Sequence, residues 1–159
     1  MSRAYQPSDL ESAKRIWREC GWIESDEEGA HLEHFFAESS TRVAELDGNV
    51  ECIASGHLGS MRYQTTDLTA LLVTSVTTSW VGRRQGLAKR LTAEVLADGA
   101  KAGNAVATLG IFEHGFYNTL GFGSGPYEHF VRFDPASLHI DTPYRKPVRL
   151  TLDDHVEIA

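Results

Sequence analysis

The chain has 159 residues, with 15 Lys and Arg against 22 Asp and Glu, a net charge of −7 and 42% hydrophobic residues. A chain of this size buries roughly 70% of its unfolded surface in one ordinary core, and its near-average composition excludes wholesale disorder, collagen and coiled coil. No apolar run reaches about 18 residues, so no membrane span is expected, and the acidic balance argues against nucleic acid, whose binding draws its affinity from neutralised phosphates.

The opening MSRAYQPSDLES lacks the apolar core of a signal peptide. Cys20 and Cys52 have no metal or redox spacing, which reads as reduced thiols in a cytoplasmic protein. A short strand comes first, then a helix in which Ser8 and Glu11 form an S-x-x-E capping box ahead of Leu10, Ala13, Ile16 and Trp17, with Gly21 as the stop. An acidic loop carrying Glu24, Asp26, Glu27 and Glu28 follows, then a short amphipathic helix around Leu32, Phe35 and Phe36. Asp47-Gly48-Asn49 between two extended runs is a hairpin signal. LTALLVTSVTTSW, rich in β-branched residues, reads as a central strand buried on both faces. The next segment, VGRRQGLAKRLTAEVLADGAKAGN, is an amphipathic helix with Leu87, Leu91 and Val95 on one side. AVATLGIF is a further strand, EHGFYNTLGFGSGPY a short helix bracketed by glycines, and YEHFVRF a last strand. Beyond Asp134-Pro135 the chain turns polar, and its end begins like a capped helix and stops. This order predicts an α/β (α+β) fold: a mixed sheet with helices on both faces.

The junction S-V-T-T-S-W-V-G-R-R-Q-G-L-A-K-R carries the most chemistry. A helix entered directly from a strand presents unpaired N–H groups and its positive dipole end, a natural phosphate site. Arg83, Arg84, Lys89 and Arg90 form a compact basic cluster there, suited to a small anion. Cations at a helix N-terminus oppose the dipole by roughly 0.3–1 kcal/mol each, which makes sense if an anion lies among them. The residues match neither a P-loop nor a G-x-G-x-x-G fingerprint.

Arg83-Arg84-Gln85-Gly86-Leu87-Ala88, after a buried strand and opening a helix, resembles the acetyl-CoA pyrophosphate loop of the GNAT N-acetyltransferase superfamily. Phe112-Glu113-His114-Gly115-Phe116-Tyr117-Asn118-Thr119-Leu120-Gly121-Phe122-Gly123 is similar to the glycine- and Tyr-containing stretch of the N-terminal domain of Eis-type (enhanced intracellular survival) acetyltransferases. The resemblance covers roughly residues 3–134, the expected catalytic domain 1–134; residues 135–159 read as an extension that could begin a truncated second module. It implies a mostly antiparallel central sheet whose central strands splay, acetyl-CoA as co-substrate, and a primary amine on a small molecule or peptide as acceptor. It also implies that the backbone of Val76, Thr77 and Thr78 pairs with pantetheine and that residues Arg83 to Ala88, including Gln85, Gly86 and Leu87, cradle the pyrophosphate. Tyr117 takes the general-acid role. Ala88 stands where glycine is commoner and His114 replaces a usual glycine.

Transfer to an amine raises two proton problems. An ammonium with pKa near 10.4 costs about 4–5 kcal/mol to deprotonate at pH 7, and a thiolate leaving group benefits from a donor. Tyr117 fits the donor; Glu113, His114 and His57 are the candidates for the base. His31 and His34 lack a third ligand, so no metal is expected. The acidic loop reads either as a solvated face or as a guide for a cationic acceptor. A non-catalytic acyl-CoA-binding module is the alternative to an enzyme, and a homo-oligomer is compatible with either.

Overall fold

A computed structural model describes residues 1–111, 115–125, 129–139 and 141–154. The chain forms two compact units, Met1–Gly123 and Ser124–Ala159.

The first unit is built on one five-stranded sheet in the order β1-β2-β3-β4-β5. These are β1 (Ser2–Ala4), β2 (Ser40–Leu46), β3 (Asn49–Tyr63), β4 (Thr66–Thr78) and β5 (Val106–Thr108). The first four pair antiparallel, and β5 joins parallel to β4. The parallel step follows from its connection, α4 (Leu87–Lys101), since parallel neighbours need a crossover. The β2–β3 turn is the expected one: Asp47 (φ 48°) and Gly48 (φ 80°) both take positive φ.

Alternate strand residues feed two cores, as a period of two requires. Ala13 and Ile16 of α1 (Leu10–Glu19), with Leu32 and Phe36 of α3 (Leu32–Ala37), pack on Val43 and Ile53. Leu87, Leu91 and Val95 of α4 pack on Ala44, Cys52, Ala54, Leu71 and Val73. Helices therefore cover both faces, as the fold class predicts.

Three local readings change. The first helix is not capped by Ser8 and Glu11. It is preceded by a 3-10 turn at Pro7–Asp9, and the Asp9 carboxylate accepts the Gln6 N–H at 2.8 Å. Arg3 decides this by binding Asp9 with both guanidinium arms (2.7 and 2.8 Å) while also reaching Glu45. The acidic loop contains a helical turn, α2 (Asp26–Gly29), whose Glu28 N–H donates to the Ser25 hydroxyl. β4 is not buried on both faces: Leu71 and Val73 are covered, whereas Leu72 is 42% exposed and Thr74 and Val76 border a cleft. The sequence shows an apolar run; Leu72 is exposed even though it pairs with β5, because a strand's face is covered by what packs on the sheet and not by its neighbour within it.

In the second unit, His129 to Phe133 form no strand among the described residues, and Phe130 and Val131 are exposed. A ladder needs a partner as well as β-prone residues. The unit holds single 3-10 turns at Pro135–Ser137 and Leu152–Asp154. Asp134 caps the first through the Ala136 N–H, and Thr151 and Asp154 bond across the second. Among the described residues, the end that begins like a helix is one turn.

Candidate functional site

β4 and its continuation build the site. Ile53 lies opposite Thr77 and Ser55 opposite Thr74, so Ala54 faces two residues, Ser75 and Val76. This is a β-bulge, with Ser75 in a left-handed conformation (φ 56°). On its other side β4 has no strand partner from Val73 to Thr78 among the described residues, because β5 ends its pairing at Leu72. β5 itself ends at Thr108, which leaves this edge of main-chain groups available to an extended ligand.

Beyond Thr78 the chain makes a tight turn anchored on β3. Ser79 is fully buried; its N–H donates to the Glu51 carbonyl (2.9 Å), and its hydroxyl and carbonyl both accept the Gly82 N–H (3.0 and 3.1 Å). A Cβ at Gly82 would stand 3.0 Å from the Glu51 carbonyl oxygen, so glycine permits the close approach. Trp80 N–H donates to the Glu19 carboxylate at 2.8 Å, tying the turn to α1. The Arg83 guanidinium lies 4.2 Å from the Trp80 ring centroid.

Gly86 (φ 74°) then caps α4, a conformation that glycine adopts at no steric cost. The helix's first internal bond runs from the Arg90 N–H to the Gly86 carbonyl. None of the backbone N–H groups from Arg83 to Lys89 donates to another described residue. Among the described residues Arg83, Arg84 and Lys89 also have no ion-pair partner, whereas Arg90 leans toward Glu94 at 3.7 Å. A row of unused donors and three uncompensated cations at one helix start is electrostatically complementary to a doubly charged anion.

This loop opens on a cleft of about 710 Å³. Val76, Thr77 and Thr78 of β4 line it, together with Arg83, Arg84 and Ala88. Cys20, Trp22, Phe116 and Tyr117 complete its walls. A second hollow of about 460 Å³, lined by Val73, Thr74, Ser75 and Gly110, shares Trp22, Val76 and Tyr117 with the first. Tyr117 opens a 3-10 turn (Tyr117–Leu120) between Gly115 and Gly121, where a short bracketed helix was expected. Its ring stands edge-on to Phe116 (4.9 Å) and Phe122 (6.0 Å).

Six of the nine expected coenzyme residues therefore line one cleft with Tyr117. The other three are placed differently. Leu87 is 8% exposed and anchors α4 in the core. The Gln85 side chain turns back to the Val81 carbonyl at 2.8 Å, and Gly86 contributes backbone alone. Glu113 and His114 lie outside the described residues. His57 is half-buried against Phe35 (4.8 Å) and lines neither hollow. Sequence reasoning missed Cys20, Trp22 and Phe116; an apolar Trp just past the Gly21 helix stop was the one available signal.

Cys20 and Cys52 both converge on Thr78, Cys20 through the carbonyl (3.6 Å) and Cys52 through the hydroxyl (3.2 Å). Burial pushes the Cys52 thiol up to about 11, so it stays protonated.

The model of the family described as "Acetyltransferase (GNAT) domain" matches residues 2–125. No curated protein matches the sequence. Among solved structures, a Trypanosoma brucei acetyltransferase is similar at TM-score 0.64 and 22% identity, over 84% of this chain and 98% of that one. Glucosamine-6-phosphate N-acetyltransferase from Arabidopsis thaliana is similar at TM-score 0.62 and 17% identity, over 84% and 98%. A predicted acetyltransferase of Clostridium acetobutylicum, solved with acetyl-CoA, is similar at TM-score 0.65 and 14% identity, over 88% and 99%. At these identities the structures show a shared fold.

Proposed function

Because the chain belongs to the GNAT acetyltransferase domain family, we propose that it moves an acetyl group from acetyl-CoA to a primary amine by direct transfer in a ternary complex. The observation that carries this is the run of unpaired N–H groups from Arg83 to Lys89 opening on a cleft floored by the unpaired edge of β4. The donor set fits the coenzyme: a diphosphate on the loop and an extended amide-bearing arm along Val76 to Thr78. When bound, acetyl-CoA supplies an acetyl group activated as a thioester.

This chain's residues do the rest. The loop amides with Arg83 and Arg84 hold the diphosphate, and the arm's direction follows the β4 edge toward Tyr117. The Tyr117 phenol, protonated at neutral pH, donates its proton to the departing sulfur. Glu113, outside the described residues, is the proposed base for the ammonium. The Eis-type likeness belongs to this proposal and is supported by the placing of Tyr117 on the cleft wall. So does a cationic acceptor: Glu24, Asp26, Glu27 and Glu28, all exposed, directly follow the cleft residue Trp22. A cytoplasmic setting, where both free thiols stay reduced, completes it.

One observation favours a second reading, an acyl-CoA-binding module without catalysis: among the described residues no carboxylate or imidazole lines the cleft. Calorimetric titration with acetyl-CoA and CoA, then steady-state release of free CoA over an amine panel, decides between them. Binding with turnover supports the enzyme; binding without turnover supports the module; no binding removes both.

A further inference from the structure

The residue that both hollows share and the acyl-transfer reading leaves without a task is Trp22. A large apolar side chain left 42% exposed inside a cleft marks a surface meant to be covered. Trp22 is held firmly. Gly21 (φ 71°) reverses the chain after α1, and the Trp22 N–H closes on the Trp17 carbonyl at 2.8 Å. Its indole rests edge-on against that of Trp17, with centroids 5.2 Å apart. Trp17 in turn meets Phe35 (5.9 Å) and Phe36 (5.8 Å), and Phe36 belongs to the core. Trp22 is thus the outermost ring of an aromatic stack rooted in the hydrophobic interior. Tyr117, which lines the same hollows, is braced by Phe116 and Phe122.

Trp22 and Tyr117 border both hollows, so they form the waist between the coenzyme half and the smaller half. Beyond the waist the described lining is neutral: Val73, Thr74, Ser75, Val76 and Gly110. The acidic segment 24–28 lies next to Trp22 in the chain and is exposed, with Glu24 and Glu27 free of ion pairs among the described residues. Carboxylates beside Trp22 in the chain favour an ammonium, and the hydrocarbon body of an amine held in the smaller hollow would lie against the rings that border it.

Resting on the acyl-transfer reading, we propose that the 460 Å³ hollow is the acceptor subsite and takes a primary amine carried on a flat aromatic body, an arylalkylamine stacked on Trp22. Trp22 is the specificity-determining residue. The test compares tryptamine, phenethylamine, propylamine and spermidine as acceptors for the wild type, Trp22→Ala and Trp22→Phe. The aryl amines should exceed propylamine in kcat/KM by about tenfold. Trp22→Ala should erase that preference, a larger effect than any on the KM for acetyl-CoA, whose cleft Trp22 also borders, while Trp22→Phe retains most of it. Equal use of aryl and alkyl amines by the wild type overturns the proposal, as does a Trp22→Ala defect that lowers kcat/KM for all amines alike. If no amine turns over, the acyl-transfer reading fails by itself and the subsite is read by calorimetry of phenethylamine in the presence of CoA. Heat that disappears in Trp22→Ala upholds the subsite, and no heat in the wild type overturns it.

Discussion

Arg84 stands in a left-handed conformation (φ 61°) on the exposed turn proposed to hold phosphate, with no ion pair among the described residues. A non-glycine residue there costs about 1–2 kcal/mol of backbone strain. Arg84→Gly relieves that strain and concedes roughly 0.5–1 kcal/mol to the greater chain entropy of unfolded glycine. The net effect on stability is therefore near zero or slightly favourable. Coenzyme binding moves the other way. A guanidinium hydrogen bond to phosphate contributes about 1.5–3 kcal/mol, so its removal weakens affinity by roughly ten- to a hundredfold. Urea unfolding and calorimetric titration of acetyl-CoA on the same preparations measure both quantities. Arg84→Lys, which keeps charge but not the planar fork, should fall between. Raising the salt concentration should narrow the gap between wild type and Arg84→Gly, because part of the lost attraction is screened. An Arg84→Gly variant that binds acetyl-CoA within twofold of wild type refutes the assignment of this turn to phosphate. A variant that unfolds several kcal/mol more easily refutes the strain argument.

Tyr117→Phe should lower kcat by one to two orders of magnitude and leave the acetyl-CoA dissociation constant nearly intact, since only the proton donor is lost; single-turnover kinetics would expose unchanged chemistry. Gly99→Ala places a Cβ 2.5 Å from Leu71 Cδ2, a side chain 3% exposed and already confined by Gly56. Overpacking of about 1–3 kcal/mol exceeds the helix-propensity gain of up to about 1 kcal/mol, and the net loss seen in urea should shrink in a Leu71→Val background. The Arg3 guanidinium holds the Asp9 carboxyl below its ordinary value, and Arg42 does the same for Asp98. A depressed folded pKa contributes stability that is present above the unfolded value near 3.9 and lost as pH falls through the folded one. Asp9→Asn should therefore flatten the decline in melting temperature on that acid limb. At pH 8 a disulfide reagent should label Cys20 on the cleft wall and spare buried Cys52, and CoA should slow the labelling. Equal reactivity of the two thiols would contradict the burial that raises Cys52.

The order of elements and the shape of the Gly86 turn were legible because both are written in local chemistry. Asp47-Gly48 takes positive φ through its own residues, and Gly86 opens α4 through its own lack of a Cβ. Arg83, Arg84 and Lys89 carry the proposal of an anion there because cations at a helix start oppose the dipole wherever the helix lies. What needed the tertiary structure was every feature set by a distant partner. Asp9 replaced Glu11 in the cap because Arg3 reached it from β1. The apolar run of β4 acquired an open edge because β5 stops pairing at Leu72, a fact about another strand's length. Trp22 became a cleft wall because Trp17, Phe35 and Phe36 stack behind it and Tyr117 lines the same hollow from nearly a hundred residues away. A sequence states what each residue can do within its own few turns of chain. Which surfaces then face one another, and how wide a gap they leave, is decided by packing.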